Sequence, residues 1–149
     1  MIRGAPSHVD LTVTDLSRSV RFYDQVLDEL GYKRLPEAGA GAPCWGVADA
    51  DGGVFSIALQ LARQGSAAEP HDRYAPGLHH LAFHADSRAD VDGFHQFLQD
   101  MEAAILDAPA AYDYTAGYYA VFFADPDGLK LEVVHEPVLR GRSGPIQGA

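Results

Sequence analysis

Hydrophobic and polar positions alternate strictly in HVDLTVT, residues 8–14. Val9, Leu11 and Val13 share one face of a strand, and His8, Asp10, Thr12 and Thr14 share the other. The period then changes. In DLSRSVRFYDQVLDELG, Leu16, Val20, Tyr23, Leu27 and Leu30 recur at helical spacing. Asp15 is placed as the N-cap and Gly31 as the residue that ends the helix. YKRL, PCWGVAD and GVFSIALQLA follow as three short strands separated by Gly and Pro. The first half therefore reads β-α-β-β-β.

The second half repeats that order. LHHLAFHA predicts a strand, and SRADVDGFHQFLQDMEA a helix with Val91, Phe94, Leu98 and Met101 on its apolar stripe. Ser87 and Asp90 give it an S-x-x-D capping pattern. AILDAP predicts a short strand. GYYAVFFAD and LKLEVVHE predict a hairpin around the turn DPDG. The whole is one α+β domain. It comprises module 7–62, a turn-rich linker 63–77 that could order as a flap, and module 78–136, with a loose tail after Pro137. His8 opens the first strand and His80 sits in the first strand of the second module, 80 − 8 = 72 residues apart, and the same offset carries Asp15 to Ser87.

Composition narrows the partners. The formal net charge of −10 argues against nucleic acid or an anionic membrane surface. A single cysteine, Cys44, permits no internal disulfide and points to the cytoplasm; a small buried hydrophobe is its simplest role. The first residues, MIRGAPSHVDL, lack the apolar run of a signal peptide, and no stretch has the length of a membrane span.

The helices should cover the apolar strand faces, which leaves the polar faces free. His8, Asp10 and Thr12 lie there, as do His80 and His84. In the last strand Leu131 and Val133 belong to the helix side, so Glu132 belongs to the free one. Solvated strand faces would account for these residues. Two imidazoles and a carboxylate, His8, His80 and Glu132, also match a 2-His-1-carboxylate site for Fe, Zn, Mn, Ni or Co, with positions left open for a substrate. His84 is a candidate general base or support for a ligand, and Tyr118 a candidate hydrogen-bond donor or acid.

HVDLTVTDLSRSVRFYDQVLDELGY, HHLAFHA and FFADPDGLKLEVV together resemble the vicinal oxygen chelate superfamily, across about residues 7–136. That group includes glyoxalase I, extradiol dioxygenases, fosfomycin-resistance transferases and bleomycin-resistance proteins. The resemblance implies paired βαβββ modules forming a curved mixed sheet around a metal-binding cup, with His8, His80 and Glu132 on the ligand positions. It also implies a small oxygen-rich substrate and a homodimer in which the metal site can be shared between chains. The expected activity is that of a metal-dependent lyase or isomerase, or of an extradiol-type dioxygenase. A non-catalytic drug- or metabolite-binding protein of the bleomycin-resistance type is the alternative. Glyoxalase I usually carries a fourth ligand, Glu or Gln, in the last strand of its first module. The repeat offset of 72 brings Gln60 to that place, whereas aligning the Asp-Gly turns brings Ser56. The transferases typically have Thr two residues after the first His, where this chain has Asp10.

Overall fold

The structure, a computed structural model, describes residues 5–36, 41–49, 52–63 and 71–137. The chain divides between residues 70 and 71 into two compact units. Part of the expected linker, residues 64–70, and the tail 138–149 lie outside the described residues.

The first unit runs β1 (His8–Val13), α1 (Leu16–Glu29), β2 (Lys33–Arg34), β3 (Cys44–Ala48) and β4 (Val54–Leu61). Its sheet has the order β1-β4-β3-β2. The first strand is parallel to the last, and the others are antiparallel. Asp15 caps α1, its carboxylate accepting from the Arg18 amide at 3.0 Å. Gly31 ends the helix with φ of +84°, a conformation that costs glycine little.

The buried face of α1 is rotated from the predicted stripe. Ser19, Phe22, Tyr23, Val26 and Leu27 are buried, whereas Leu16, Val20 and Leu30 are half-buried. Ser19, at 0% exposure, lies on this face, and Phe22 and Val26 are buried beside Tyr23 and Leu27. Tyr23 meets Trp45 at 6.3 Å between ring centroids. The Trp45 indole N–H donates to Asp24 at 2.9 Å, so the polar end of a buried aromatic is satisfied. Trp45 pairs across to Ile57, and Ile57 to Val9, so these residues mark the helix side.

The second unit repeats the topology with β5 (Leu81–His84), α2 (Arg88–Asp100), β6 (Ala104–Ala111), β7 (Tyr119–Ala124) and β8 (Lys130–His135). The sheet order is β5-β8-β7-β6, again with first and last strands parallel. Ser87 caps α2, accepting from the Asp90 amide at 3.2 Å and donating to its carboxylate at 2.8 Å. Val91, Phe94 and Leu98 are buried, and Phe94 packs on Phe123 at 5.7 Å. Leu131 and Val133 are fully covered on the same side. Asp125 holds the DPDG turn, its Oδ1 accepting from the amides of Asp127 at 2.9 Å and Leu129 at 2.8 Å. Fold class and the repeated β-α-β-β-β order are thus as the periodicity predicts.

β5 is shorter than the expected strand. It begins at Leu81, so His79 and His80 lie just before it. Alternation applies only inside a strand, so it does not govern His79, although His80 still reaches Glu132 on the expected face. The two rings turn toward each other, with their Nδ1 atoms 2.7 Å apart.

Candidate active site

The site in the second unit is centred on Glu132. Phe122 and Ala82 are its cross-strand neighbours, so all three lie on the face away from α2. Glu132 is only 1% exposed. Ala120, Phe122 and Val134 form a separate apolar cluster on this face, with Tyr112 and Tyr118 packed against it. Such burial of a carboxylate is costly unless its oxygens are met. Both are. The Tyr118 hydroxyl donates to Oε1, and His80 Nε2 lies 3.2 Å from Oε2.

Burial pushes the Glu132 carboxyl above its ordinary range, and the Tyr118 donor and the Lys130 charge partly offset this. Burial, followed by the hydrogen bond to Glu132, holds the Tyr118 hydroxyl well above the usual phenol value, so Tyr118 keeps its proton. Burial, with the positive charges of Lys130 and Arg73, holds His80 below the ordinary imidazole value. The His80–Glu132 contact is therefore a hydrogen bond from a neutral ring rather than an ion pair. If Nε2 of His80 donates to Glu132, its Nδ1 must accept, and His79 Nδ1 is then the donor.

The loop before β7 supplies an aromatic wall. Tyr112 and Tyr114 stack at 5.6 Å, and Tyr118 meets them edge-on at 6.2 and 5.2 Å. Thr115 donates to Glu136 at 2.7 Å and so pins the loop to the end of β8. Gly117, with φ of +83°, lets it close on Pro137, where a Cβ would come within 2.8 Å of the proline ring.

His84 closes β5 on the same face as Ala82. It is exposed and pairs across to Val134. His135 lies on the other face, its Nδ1 3.4 Å from the Ala85 carbonyl oxygen. His8 belongs to the first unit. It opens β1 on the face away from α1, is exposed, and has Ser7 Oγ 3.3 Å from its Nδ1. Among the described residues its Nε2 has no hydrogen-bond partner. Cys44 is buried, as the small-hydrophobe role requires.

The strand registers identify the structural counterpart of Glu132 in the first unit. His8 maps to His80, so Asp10 maps to Ala82, with the offset of 72. Asp10 pairs with Ala58, and Ala82 pairs with Glu132. Ala58 is therefore the counterpart of Glu132, with an offset of 132 − 58 = 74. Both sequence alignments miss it, one by two residues each way, because the segments between β1 and β4 and between β5 and β8 differ in length. Gln60 instead pairs with Thr12 and donates to Asp10 at 2.9 Å.

Residues 5–133 match the Glyoxalase/Bleomycin resistance protein/Dioxygenase superfamily. The chain belongs to that superfamily. It is 34% identical over 128 residues to the uncharacterized protein YqjT of Bacillus subtilis (strain 168), covering 85% of this chain and 95% of the relative. It is 30% identical over 164 residues to a 2-epi-5-epi-valiolone epimerase from Actinomyces sp, covering 91% of this chain and 84% of that enzyme. Among solved structures, a candidate glyoxalase from Bacillus halodurans has a TM-score of 0.74 at 28% identity, with 90% of this chain and 97% of that one covered. A glyoxylase/bleomycin resistance protein/dioxygenase domain from Frankia sp. EAN1pec has a TM-score of 0.65 at 27% identity, covering 91% and 98%.

Superfamily members commonly hold a divalent metal, and the second unit offers two donors suited to one. His80 Nε2 and Glu132 Oε2 converge to 3.2 Å, one a neutral imidazole and the other a carboxylate. Among the described residues no group of three or more His, Cys, Asp or Glu side chains is gathered as a metal cluster. Among the same residues no helix is long and apolar enough to cross a membrane. Three contributors to the site escape the sequence reading: His79, which lies outside the strand, and Tyr112 and Tyr114, which are visible only as the aromatic density of YDYTAGYY.

Proposed function

We propose that the protein is a divalent-metal-dependent enzyme of the isomerase or lyase type, acting on a small oxygen-rich substrate. The observation that carries this reading is the buried Glu132, held between Tyr118 and His80. A solvated strand face would not bury a carboxylate among aromatic side chains. His80 and Glu132 would hold the metal, with His8 of the first module as third ligand, from the same chain or from a second copy. The epimerase relative supports an isomerase over a dioxygenase.

When bound, the metal would act as a Lewis acid toward adjacent substrate oxygens and raise the acidity of the neighbouring C–H. The chain's own residues supply the rest. Tyr118 keeps its proton and orients the Glu132 carboxylate. With metal bound, His80 would carry its proton on Nδ1 and donate it to Nδ1 of His79, the reverse of the metal-free arrangement, so that Nε2 is free as a ligand. Tyr112 and Phe122, with ring centroids 5.4 Å apart, form an apolar wall beside Glu132. His84, exposed on the same face, is the base that would take the proton from carbon. A cytoplasmic homodimer belongs to the same proposal.

The test is reconstitution with Fe(II), Mn, Ni, Co or Zn, followed by NMR of deuterium uptake from D2O into α-hydroxy ketones. Stoichiometric metal and metal-dependent exchange at the α-carbon are expected. The aromatic wall favours one second reading, a binding protein that sequesters a flat ligand without turnover. Protein that stays metal-free with all five ions would select that reading.

A further inference from the structure

The second unit is strongly acidic. Its described residues 71–137 include twelve Asp and Glu but only three Lys and Arg: Arg73, Arg88 and Lys130. Two of these three lie around His79 and His80. Lys130 precedes Glu132 by two residues on the same strand face, and its Nζ is 3.7 Å from the centroid of the Phe122 ring. Arg73 lies over Tyr74 at 4.9 Å and donates to its hydroxyl at 2.9 Å. Tyr74 in turn meets His79 at 5.7 Å, and His79 meets His80 at 5.0 Å.

Neither cation is consumed by a carboxylate. Among the described residues neither Arg73 nor Lys130 forms an ion pair, whereas Lys33 and Arg34 in the first unit do. The Nε atom of Arg73 is buried and has no hydrogen-bond partner. A buried donor left unmet is uncommon and calls for an explanation. The short loop that carries it is held in place by the Asp72 side chain, which accepts from the Tyr74 amide at 2.9 Å, and by a 2.9 Å contact between His71 Nε2 and the Leu78 carbonyl. Retaining two unpaired cations beside the ligand pair of an acidic module is what recognition of an anion requires.

We propose that Arg73 and Lys130 form an anion-binding corner beside His80 and Glu132, so that the substrate carries a carboxylate or phosphate group next to its chelating oxygens. This names the charge of the substrate and rests on the preceding assignment of the site. Arg73 suits a forked contact with two anion oxygens, and Lys130 a single point contact.

The experiment is calorimetric titration of the full chain, without added metal, with inorganic phosphate and separately with malonate. Omitting metal separates this proposal from the metal assignment, since either can fail alone. Saturable binding of at least one anion is expected, weakened tenfold or more by Arg73→Gln and by Lys130→Gln. Arg88→Gln should leave it unchanged, because Arg88 lies on α2 over Tyr119. Lys130→Arg should retain most of it. Preference for phosphate assigns a phosphate ester, and preference for malonate assigns a carboxylate. Absence of saturable binding of either anion, or an equal loss in Arg88→Gln, would overturn the proposal. Circular dichroism of each variant controls for folding.

Discussion

Nε2 of His80 lies 3.2 Å from Oε2 of Glu132, although the two residues come from opposite ends of the second module. The parallel pairing of β5 with β8 brings them together, and β1 with β4 is the equivalent pair in the first module. If this contact is half of a metal site, replacing either residue, or His8, should remove most of the metal. Mass spectrometry of His8→Ala, His80→Ala and Glu132→Ala should show each at a small fraction of the parent's content, with His135→Ala unchanged. His79→Ala should lie between, about tenfold weaker in affinity, because it removes the partner of His80 Nδ1 rather than a ligand.

Glu132 is expected to cost stability in the metal-free protein. Its carboxylate is buried, and a tyrosine and a neutral imidazole compensate only in part. Glu132→Gln should therefore raise the metal-free protein's stability at neutral pH by on the order of 1 kcal/mol. Urea unfolding would measure it. A destabilised variant would mean that the Tyr118 and His80 contacts more than offset the burial.

His84 should affect turnover alone. His84→Gln is expected to lower kcat by about 100-fold if the ring takes the substrate proton, with metal content at the parent's level. Unchanged turnover would return His84 to the role of a solvated residue at the end of β5.

Tyr32 provides an alkaline marker. Burial pushes its hydroxyl up to about 12 from the ordinary 10. Because the folded state holds this proton more tightly, the associated stability is complete below pH 10 and is lost as pH rises toward 12. Ultraviolet titration should show Tyr32 among the late-ionising tyrosines, with Tyr118 later still. Tyr32→Phe should remove one late-ionising phenol from the total, and the decline in stability over this range should be smaller.

Ser87→Ala should destabilise the protein by about 1 kcal/mol through loss of the α2 cap. Ser87→Asp should restore most of it. Chemical denaturation distinguishes the two, and equal midpoints for all three proteins would show that the amide of Asp90 finds another acceptor.

Much of this architecture is legible in the order of residues because strand and helix periods are local properties. Alternation alone assigned Glu132 and Leu131 to opposite faces. Asp15, Gly31 and Ser87 marked helix ends through hydrogen bonds and backbone freedom confined to one turn. The likeness of the two halves put His8 and His80 in equivalent places.

Only the tertiary structure decided which residues meet across strands. The counterpart of Glu132 is Ala58 rather than Gln60 or Ser56, because register depends on how two strands dock and not on their separation along the chain. His79 turned toward His80 because the strand starts three residues later than expected, at Leu81, so alternation had nothing to act on there. Tyr118 and Glu132, and Lys130 over Phe122, meet through pairing of β7 with β8. Side-chain period is written into each segment, whereas pairing is a property of two segments packed together. The chemistry of this site depends on the second.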